Sequence, residues 1–498
     1  MSAHESLETE LKFDVDAATA PPDLAGLVPG GGADAPVHHE LVATYLDTAG
    51  HDLATRKITL RRRTGGTDAG WHLKRPGETA IKGVTARREL QVSFDEAPAD
   101  GPVPGVIMDA ITAIVRDREL IPVATITNER TVTVVRDADG ASLAEFCADQ
   151  VLAHAQQSGR TSEWAEWEFE LTGGGRSLLK QARTLLRQAG ARPASSESKL
   201  ARALGTEPHT HRPARLRPGS TGLDLVVHAL AGHRDALLTI DPQVRLGTED
   251  AVHQLRVTTR KLRSVLTSYP QVLAPEPAAT VIAELTELAG LASAARDLEV
   301  QVEINTELLA GEHAPDELRR VLIDDEQRRQ ERALRSLQFA LTTRRYLSLL
   351  DAVDELIGDP QSGPDAQRPA EKVARDGVDH ARTRLHKAER KLRKLEPWSP
   401  DWVQQVHRIR KRAKTVRYTA ESAAPVGGKR ARRAAREASQ IQKHLGLFQD
   451  TVVNRERIAQ IAASTTLSAE SQFVLGRLDA REEARGRAAV DAYLKARR

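Results

Sequence analysis

Two patterns of apolar and polar positions divide the chain. Before about residue 205, short alternating runs such as LETELKF, RRELQVSF and EWAEWEFEL recur between turn-forming stretches such as PGGGADAP and RTGGTDAG. Alternation with a period of two predicts strands. From about Gly219 onward, apolar residues recur at helical spacing, as in LDLVVHALAGHRDALL. The pattern predicts an α+β domain over residues 1–205, a proline-rich linker over 206–218 and an all-α domain over 219–498.

Several predicted strands carry charged residues on one face. Residues two apart on a strand share a face, and this holds for Arg61 and Arg63 and for two sets of three: Glu8, Glu10 and Lys12, and Glu166, Glu168 and Glu170. For a single strand, the solvated face of an antiparallel sheet is an alternative interpretation. Several such strands together favour a closed sheet with these faces inward, where carboxylates hold a divalent metal and basic side chains bind phosphate oxygens.

The helical half contains an internal repeat. VHQLRVTTRKLR at 252–263 matches VHRIRKRAKTVR at 406–417, and an aspartate, Asp297 or Asp450, follows each segment about 44 residues after its histidine. At about 100° per residue, each segment places four basic or histidine side chains within roughly an 80° arc. The two stripes are His253, Arg256, Arg260 and Arg263, and His407, Arg410, Lys414 and Arg417. Neither segment contains an acid, whereas a solvated face usually interleaves acids. We expect a duplicated unit of several helices whose stripes bind a polyanion.

Composition narrows the classes of partner and compartment. The net charge is only +3 although 28% of residues are charged, so basic residues are concentrated locally, most strongly over 405–436. Aromatic residues are 3% of the chain, which disfavours nucleic acid and favours a polyanion without bases. The single cysteine, Cys147, excludes an internal disulfide and fits a reducing compartment. The acidic start is not a signal peptide, and we expect no membrane span.

The first half resembles the CYTH superfamily, the triphosphate tunnel metalloenzymes. Glu8-Thr9-Glu10-Leu11-Lys12 reproduces the ExExK signature of that family at the start of the chain. TYLDT, LRRR, HLKRP, Arg87-Arg88-Glu89 and SESKLARAL then follow in family order. The resemblance implies an antiparallel β-barrel enclosing a triphosphate site, and it covers essentially residues 4–205.

The same resemblance implies two groups of site residues. The metal carboxylates are Glu8, Glu10, Asp149, Glu168 and Glu170, with Glu166 as an ambiguous neighbour. The phosphate-binding and catalytic residues are Lys12, Arg61, Arg63, Lys74, Arg87, Arg130 and Lys199, with Arg136 as a further candidate. The metal is Mg²⁺ or Mn²⁺.

The second half resembles the CHAD domain over about 219–498, because of the repeated HxxRxxxRxxR pattern and the paired aspartates. That family consists of two similar four-helix units whose basic helices bind inorganic polyphosphate. The resemblance assigns polyphosphate binding to the two stripes. In the second copy Lys414 replaces an arginine, which keeps the charge but loses bidentate geometry.

Together the two resemblances imply hydrolysis of inorganic triphosphate to diphosphate and phosphate, with long-chain polyphosphate bound by the C-terminal domain. Three alternatives stay open: a nucleoside or thiamine triphosphatase, an adenylyl cyclase, and a non-catalytic polyphosphate-binding scaffold. We expect a cytoplasmic protein, with polyphosphate granules as a further location.

Overall fold

The computed structural model describes residues 4–77, 84–205, 215–310, 312–464 and 466–497. The chain forms two compact units, Met1–His211 and Arg212–Arg498. The predicted linker, 206–218, spans the division, and its residues 206–214 lie outside the described residues.

In the described part of the first unit, eight antiparallel strands close into a barrel. They are β1 (His4–Val15), β3 (Val37–Asp47), β4 (Thr59–Thr64), β5 (Gly70–Pro76), β6 (Thr85–Ser93), β7 (Ile121–Arg136), β8 (Ser142–Ala155) and β9 (Thr161–Leu171). Around the barrel their order is β1-β6-β5-β4-β3-β7-β8-β9, and β9 pairs with β1 to close it. Two short strands, β2 (Gly32–Ala33) and β10 (Arg192–Pro193), pair with β7 and β1. The predicted closed antiparallel barrel is confirmed.

Side-chain alternation gives the barrel two different faces. On β1, Leu11 and Phe13 belong to an apolar core together with Phe169 of β9. A helix, α2 (Arg176–Gln188), covers this outer face with Leu179 and Leu186. The alternate positions on the same strands point into the barrel interior. The described part of the unit also contains the α-helices α1 (Gly105–Val115) and α3 (Lys199–Leu204).

The second unit is helical over its described residues, as predicted. Its helices are α4 (Gly222–Arg245), α5 (Ala251–Ser268), α6 (Pro275–Ala310), α7 (Asp316–Arg319), α8 (Asp325–Thr342), α9 (Arg344–Gly358), α10 (Ala370–Leu392), α11 (Pro400–Ser464) and α12 (Ala469–Ala496). The first copy of the repeat is built on α4, α5, α6 and α8, and the second on α10, α11 and α12. The pair α5 and α6 of the first copy therefore corresponds to the single element α11 of the second copy.

A backbone break at Gly428 explains this difference. Gly428 has φ 56° and ψ −136°, so it interrupts the helical geometry of α11. His407 contacts Gln449, and Arg417 contacts Gln442 farther along the chain. These contacting pairs are spaced almost symmetrically about residue 428, so the two halves of α11 run antiparallel and form a helical hairpin. The segment Pro425-Val-Gly-Gly carries the turn signal for it.

One described helix, α6, is long and apolar enough to cross a membrane by length and composition, with a mean hydropathy of 1.3 in its most apolar window. Here α6 packs against α5, α8 and α9 and buries Val281, Leu285 and Leu288. Core helices of helical domains meet the same criterion, so it is weak evidence for a membrane span.

Candidate functional site

The barrel interior holds a charged cavity of about 350 Å³. Its described lining includes seven acidic and seven basic side chains. Eleven of the twelve side chains predicted for the tunnel line it: Glu8, Glu10, Lys12, Arg61, Arg63, Lys74, Arg87, Arg130, Glu168, Glu170 and Lys199. The twelfth, Asp149, is buried directly behind Arg130 and Lys199. Because the two signs balance, a bound polyanion would need added cations to be neutralised.

One acidic group in the barrel is already neutralised by basic side chains. Carboxylate oxygens of Asp149, Glu166 and Glu168 lie within 4.8 Å of one another, and all three residues are buried. The Lys199 ammonium lies 2.9 Å from Asp149, 2.5 Å from Glu166 and 2.9 Å from Glu168. Arg130 donates two hydrogen bonds to Asp149, at 2.8 and 2.7 Å. Despite burial, Arg130 and Lys199 hold the pKa of Asp149 below its ordinary range, and Lys12, with the same two cations, does so for Glu168.

The position of Lys199 follows from a helix cap. Ser198 is the N-cap of α3, and its side chain accepts a hydrogen bond from the Ala201 N–H. The cap fixes the first turn of α3 at the barrel, so that Lys199 is only 9% exposed and its ammonium reaches the carboxylates.

A second acidic group is incompletely neutralised. Glu10 and Glu170 face each other directly across the β1–β9 pairing. Glu8, two residues before Glu10, accepts hydrogen bonds from Lys74 at 2.7 and 2.6 Å. Burial raises the pKa of Glu8 to about 8 and that of Glu170 to about 7, and neighbouring carboxylates add to burial in both cases. Raised pKa values show that burial and crowding disfavour the charged forms of these carboxylates more than the nearby Lys74 favours them.

This second group fits a divalent cation. Its donors are hard carboxylate oxygens, which Mg²⁺ and Mn²⁺ prefer. Glu8, Glu10 and Glu170 share one side of the cavity, with Glu89 beside Glu8. A divalent cation there would favour the charged forms of the carboxylates and relieve the repulsion between them. At the Asp149 group, by contrast, the Lys199 ammonium already occupies the cationic position.

The remaining basic side chains lie on other strands of the barrel. Arg61 donates to the Tyr45 hydroxyl at 3.3 Å, and Arg63 forms an ion pair with Asp68. Arg87 donates to the backbone carbonyl of Glu197 at 3.0 Å. Arg61 and Arg63 point into the cavity from β4, so they face it from another direction than the carboxylates of β1 and β9. Arg136, a further candidate from the sequence, instead pairs with exposed Asp34.

Several lining residues were not predicted to take part in the site. Glu89 lies opposite Lys74 in the β5–β6 pairing, and Glu145 lies opposite Glu170 in the β8–β9 pairing. Asp68 and Tyr45 hold Arg63 and Arg61. Glu89 is two residues from Arg87 and shares its strand face, so strand alternation could have predicted that Glu89 points into the cavity.

In the helical unit the two basic stripes converge. The first stripe lies on α5 and the second on the first half of α11, and these helices pack together. Burial lowers the pKa of Lys414 to about 6, and Arg410, Arg260 and Arg256 add to the effect. Since Arg256 and Arg260 belong to the other copy, the two stripes are close enough to repel each other.

The aspartates that follow the stripes contact them at equivalent places. Asp297 of α6 accepts a hydrogen bond from Arg256 at 2.8 Å. In the second copy, Asp450 lies near Arg410 and Lys414 and opposes the lowering of their pKa. The paired aspartates therefore orient and partly neutralise the stripes.

Sequence comparisons agree with this architecture. The chain matches the CYTH domain over residues 6–204 and the CHAD domain over residues 228–459. Uncharacterized proteins from two strains of Mycobacterium tuberculosis, CDC 1551 and H37Rv, are each 37% identical over 491 residues, which is 95% of this chain and 92% of each relative.

Two solved structures resemble parts of the chain. PptA from Streptomyces chartreusis is 18% identical with a TM-score of 0.47, and the match covers 56% of this chain and 99% of that chain. The CHAD domain from the plant Ricinus communis is 22% identical with a TM-score of 0.45, and the match covers 57% and 94%. From the domain matches and the two mycobacterial relatives, the chain belongs to the family in which a CYTH domain, of the triphosphate tunnel metalloenzyme class, is followed by a CHAD domain.

Proposed function

We propose that the barrel hydrolyses inorganic triphosphate to diphosphate and phosphate. The observation that carries the proposal is the closed barrel interior, where an incompletely neutralised carboxylate group and arginines from other strands line one cavity. A short polyanion fits such a site when a divalent cation accompanies it.

The residues that would hold the cation are Glu8, Glu10 and Glu170, with Glu168 and Asp149 as the further predicted ligands. When bound, a divalent cation would polarise phosphoryl oxygens and lower the pKa of a bound water. Side chains of the barrel supply the rest by position and charge, and phosphoryl transfer requires little else of a protein.

The basic side chains would bind the phosphate oxygens. Arg61, Arg63 and Arg87 offer planar donors suited to bidentate contacts. Lys74 and Lys199 now pair with carboxylates, at 2.6 and 2.9 Å. Binding of substrate and cation together would let both ammonium groups turn toward phosphate, since the cation then compensates the carboxylates.

The lining favours inorganic triphosphate over a nucleotide. Among the described lining residues the large apolar or aromatic side chains are Leu41, Tyr45 and Ile126. The Tyr45 hydroxyl is engaged by Arg61. A purine needs a stacking surface, and this lining offers little for one.

We also propose that the helical domain binds long-chain polyphosphate through the two converging stripes. Their mutual repulsion at Lys414 supports a polyanion as ligand, because a chain of phosphates would relieve it. Neither proposal depends on the other.

The test is a phosphate-release assay on the full chain with inorganic triphosphate, ATP, thiamine triphosphate and long polyphosphate, each with Mg²⁺ and with Mn²⁺. We expect the highest kcat/KM for inorganic triphosphate and little cyclic AMP from ATP. A higher kcat/KM for ATP, or clear cyclic AMP production, would replace this proposal with a nucleotide-directed activity. If the protein were inactive on every triphosphate but bound polyphosphate tightly, the result would favour a non-catalytic polyphosphate-binding scaffold.

A further inference from the structure

A second basic surface lies outside the two stripes, on helices of the second copy. On α10, Arg384, Lys387 and Lys391 fall within roughly a 60° arc, and Lys394 follows just past the helix end. On the neighbouring first half of α11, further basic side chains face away from the apolar core. The outer basic face comprises Arg384, Lys387, Lys391, Lys394, Arg408, Lys411 and Arg412. All except the half-buried Arg412 are exposed.

The outer basic face is not paired with acids. Across the part of the chain that the structure describes, none of its side chains forms an ion pair with a carboxylate; Arg408 contacts only Gln404. The one acid of α10 in this stretch, Glu389, is buried and bound by Arg497 and Tyr493. A solvated helix face normally interleaves acids at i,i+4, so this surface departs from that pattern.

Like charges also meet where the two helices join. Arg384 of α10 lies close enough to Arg412 of α11 to add to the burial that lowers the pKa of Arg412. Repulsion of this kind costs stability unless a ligand relieves it.

The corresponding helix of the first copy, α4, is described over its whole length and shows no such surface. It contains two arginines, Arg234 and Arg245, and no lysine. Both arginines form ion pairs with aspartates. Duplication of the fold therefore does not require the outer basic face.

The face is continuous with the second stripe. Around α11, at about 100° per residue, His407, Arg410, Lys414 and Arg417 occupy one arc, and Lys411, Arg408 and Arg412 follow in turn round the helix. Arg412 then adjoins Arg384 on α10. A basic path thus leads from the converging stripes over the exposed side of α11 to α10.

We propose that this face is a track for the part of a long polyphosphate chain that extends beyond the stripes. The inference rests on the proposed polyphosphate binding and adds a dependence on chain length. Linear polyphosphate fits the surface because it carries charge at every unit and needs no stacking. Aromatic side chains make up only 3% of the sequence. A nucleic acid is the competing ligand and is an outcome of the test.

The experiment compares two double variants of the full chain that lose the same number of exposed charges from one helix. Lys387→Ala/Lys391→Ala removes part of the track. Arg375→Ala/Arg390→Ala, exposed on α10 and rotated by about 100°, is the matched control. Binding of a short and a long linear polyphosphate is measured by calorimetry with excess chelator, so that no hydrolysis intervenes, at several salt concentrations.

We expect the track variant to bind the long chain about tenfold more weakly, with the slope of log K against log salt reduced by about 1.5, as for two lost phosphate contacts. Its affinity for the short chain, and both affinities of the control, should stay near wild type. Three results would overturn the track: equally weakened long-chain binding in the two variants, unchanged long-chain binding in the track variant, or equal losses of affinity for the short and the long chain in the track variant. Loss of binding to an RNA duplex with polyphosphate binding intact would assign the face to nucleic acid instead. Wild-type protein that binds neither chain length would overturn the proposed polyphosphate binding itself.

Discussion

Replacement of Lys414 by arginine should remove most of the proton uptake that accompanies polyphosphate binding. In the free protein, burial lowers the pKa of Lys414 to about 6, with Arg410, Arg260 and Arg256 adding to the effect. Phosphates placed between the stripes would supply negative charge and raise this pKa. Arginine stays charged throughout, and the equivalent position of the first copy, Arg260, shows that a stripe accommodates it.

The size of the effect follows from the two pKa values. At pH 8, a lysine with a pKa of about 6 is about 99% neutral, whereas one returned to about 10.4 is fully charged. Binding should therefore take up close to one proton at pH 8. Because the bound pKa lies above the free one, affinity should fall as pH rises between them, by at most about tenfold per pH unit. Lys414 is only half-buried, so we expect about 0.5–0.9 proton rather than the full value.

Calorimetry at pH 8 in buffers of different ionisation enthalpy measures this uptake directly. Burial lowers the pKa of His253 and His407 in the free protein, and any proton that these imidazoles take up on binding is common to wild type and Lys414→Arg. Titration of the terminal phosphates is common to wild type and Lys414→Arg, so it cancels in the comparison. Equal proton uptake by the two proteins would refute the reasoning, and so would no uptake by wild type.

Charge reversal at Arg256 and Arg260 should weaken polyphosphate binding strongly, measured by calorimetry, and should leave kcat on triphosphate within about twofold, measured by phosphate release. Reversal at the exposed Arg319 and Arg320 should change neither quantity, and equal losses of binding in the two variants would show that total charge alone matters. Phe169→Ala, at a fully buried position of the outer barrel core, should lower the free energy of unfolding by about 3–5 kcal/mol, and an unchanged denaturation midpoint would contradict the assigned core.

Strand alternation predicted which side chains point into the barrel. Glu8, Glu10 and Lys12 share the inner face of β1, and their neighbours Leu11 and Phe13 are buried in the outer core. That part of the site depends only on a period of two, which is local in sequence.

The partners of these side chains depend on strand register, which no local pattern specifies. Lys12 meets Glu168 because β1 pairs with β9, 156 residues away. Likewise Asp149 is held behind Arg130 by the β7–β8 pairing. The sequence therefore predicted the two groups of charges but not that Lys199 would neutralise one acidic group and leave the other in excess.

In the helical half, repetition was the informative signal. The repeat predicted the equivalent stripes and the aspartates that follow them. In the structure, Asp297 forms an ion pair with Arg256 of the first stripe. The hairpin at Gly428 was not predicted, although Pro425 and two glycines mark it, because the apolar periodicity continues on both sides. The outer basic face was likewise visible only as excess charge until α10 and α11 were placed side by side.

In the proposed function, the barrel hydrolyses triphosphate with a divalent cation held by the second acidic group, Glu8, Glu10 and Glu170. The most direct measurement is phosphate release from inorganic triphosphate by wild type, Glu10→Gln and the control Glu163→Gln, with Mg²⁺ and with excess chelator. Glu163 is exposed on β9, so its loss changes charge outside the cavity. We expect activity only with the cation, a loss of at least about 100-fold in Glu10→Gln with an unchanged circular dichroism spectrum, and little change in the control. Full activity in excess chelator, or equal activity of the two variants, would contradict the account.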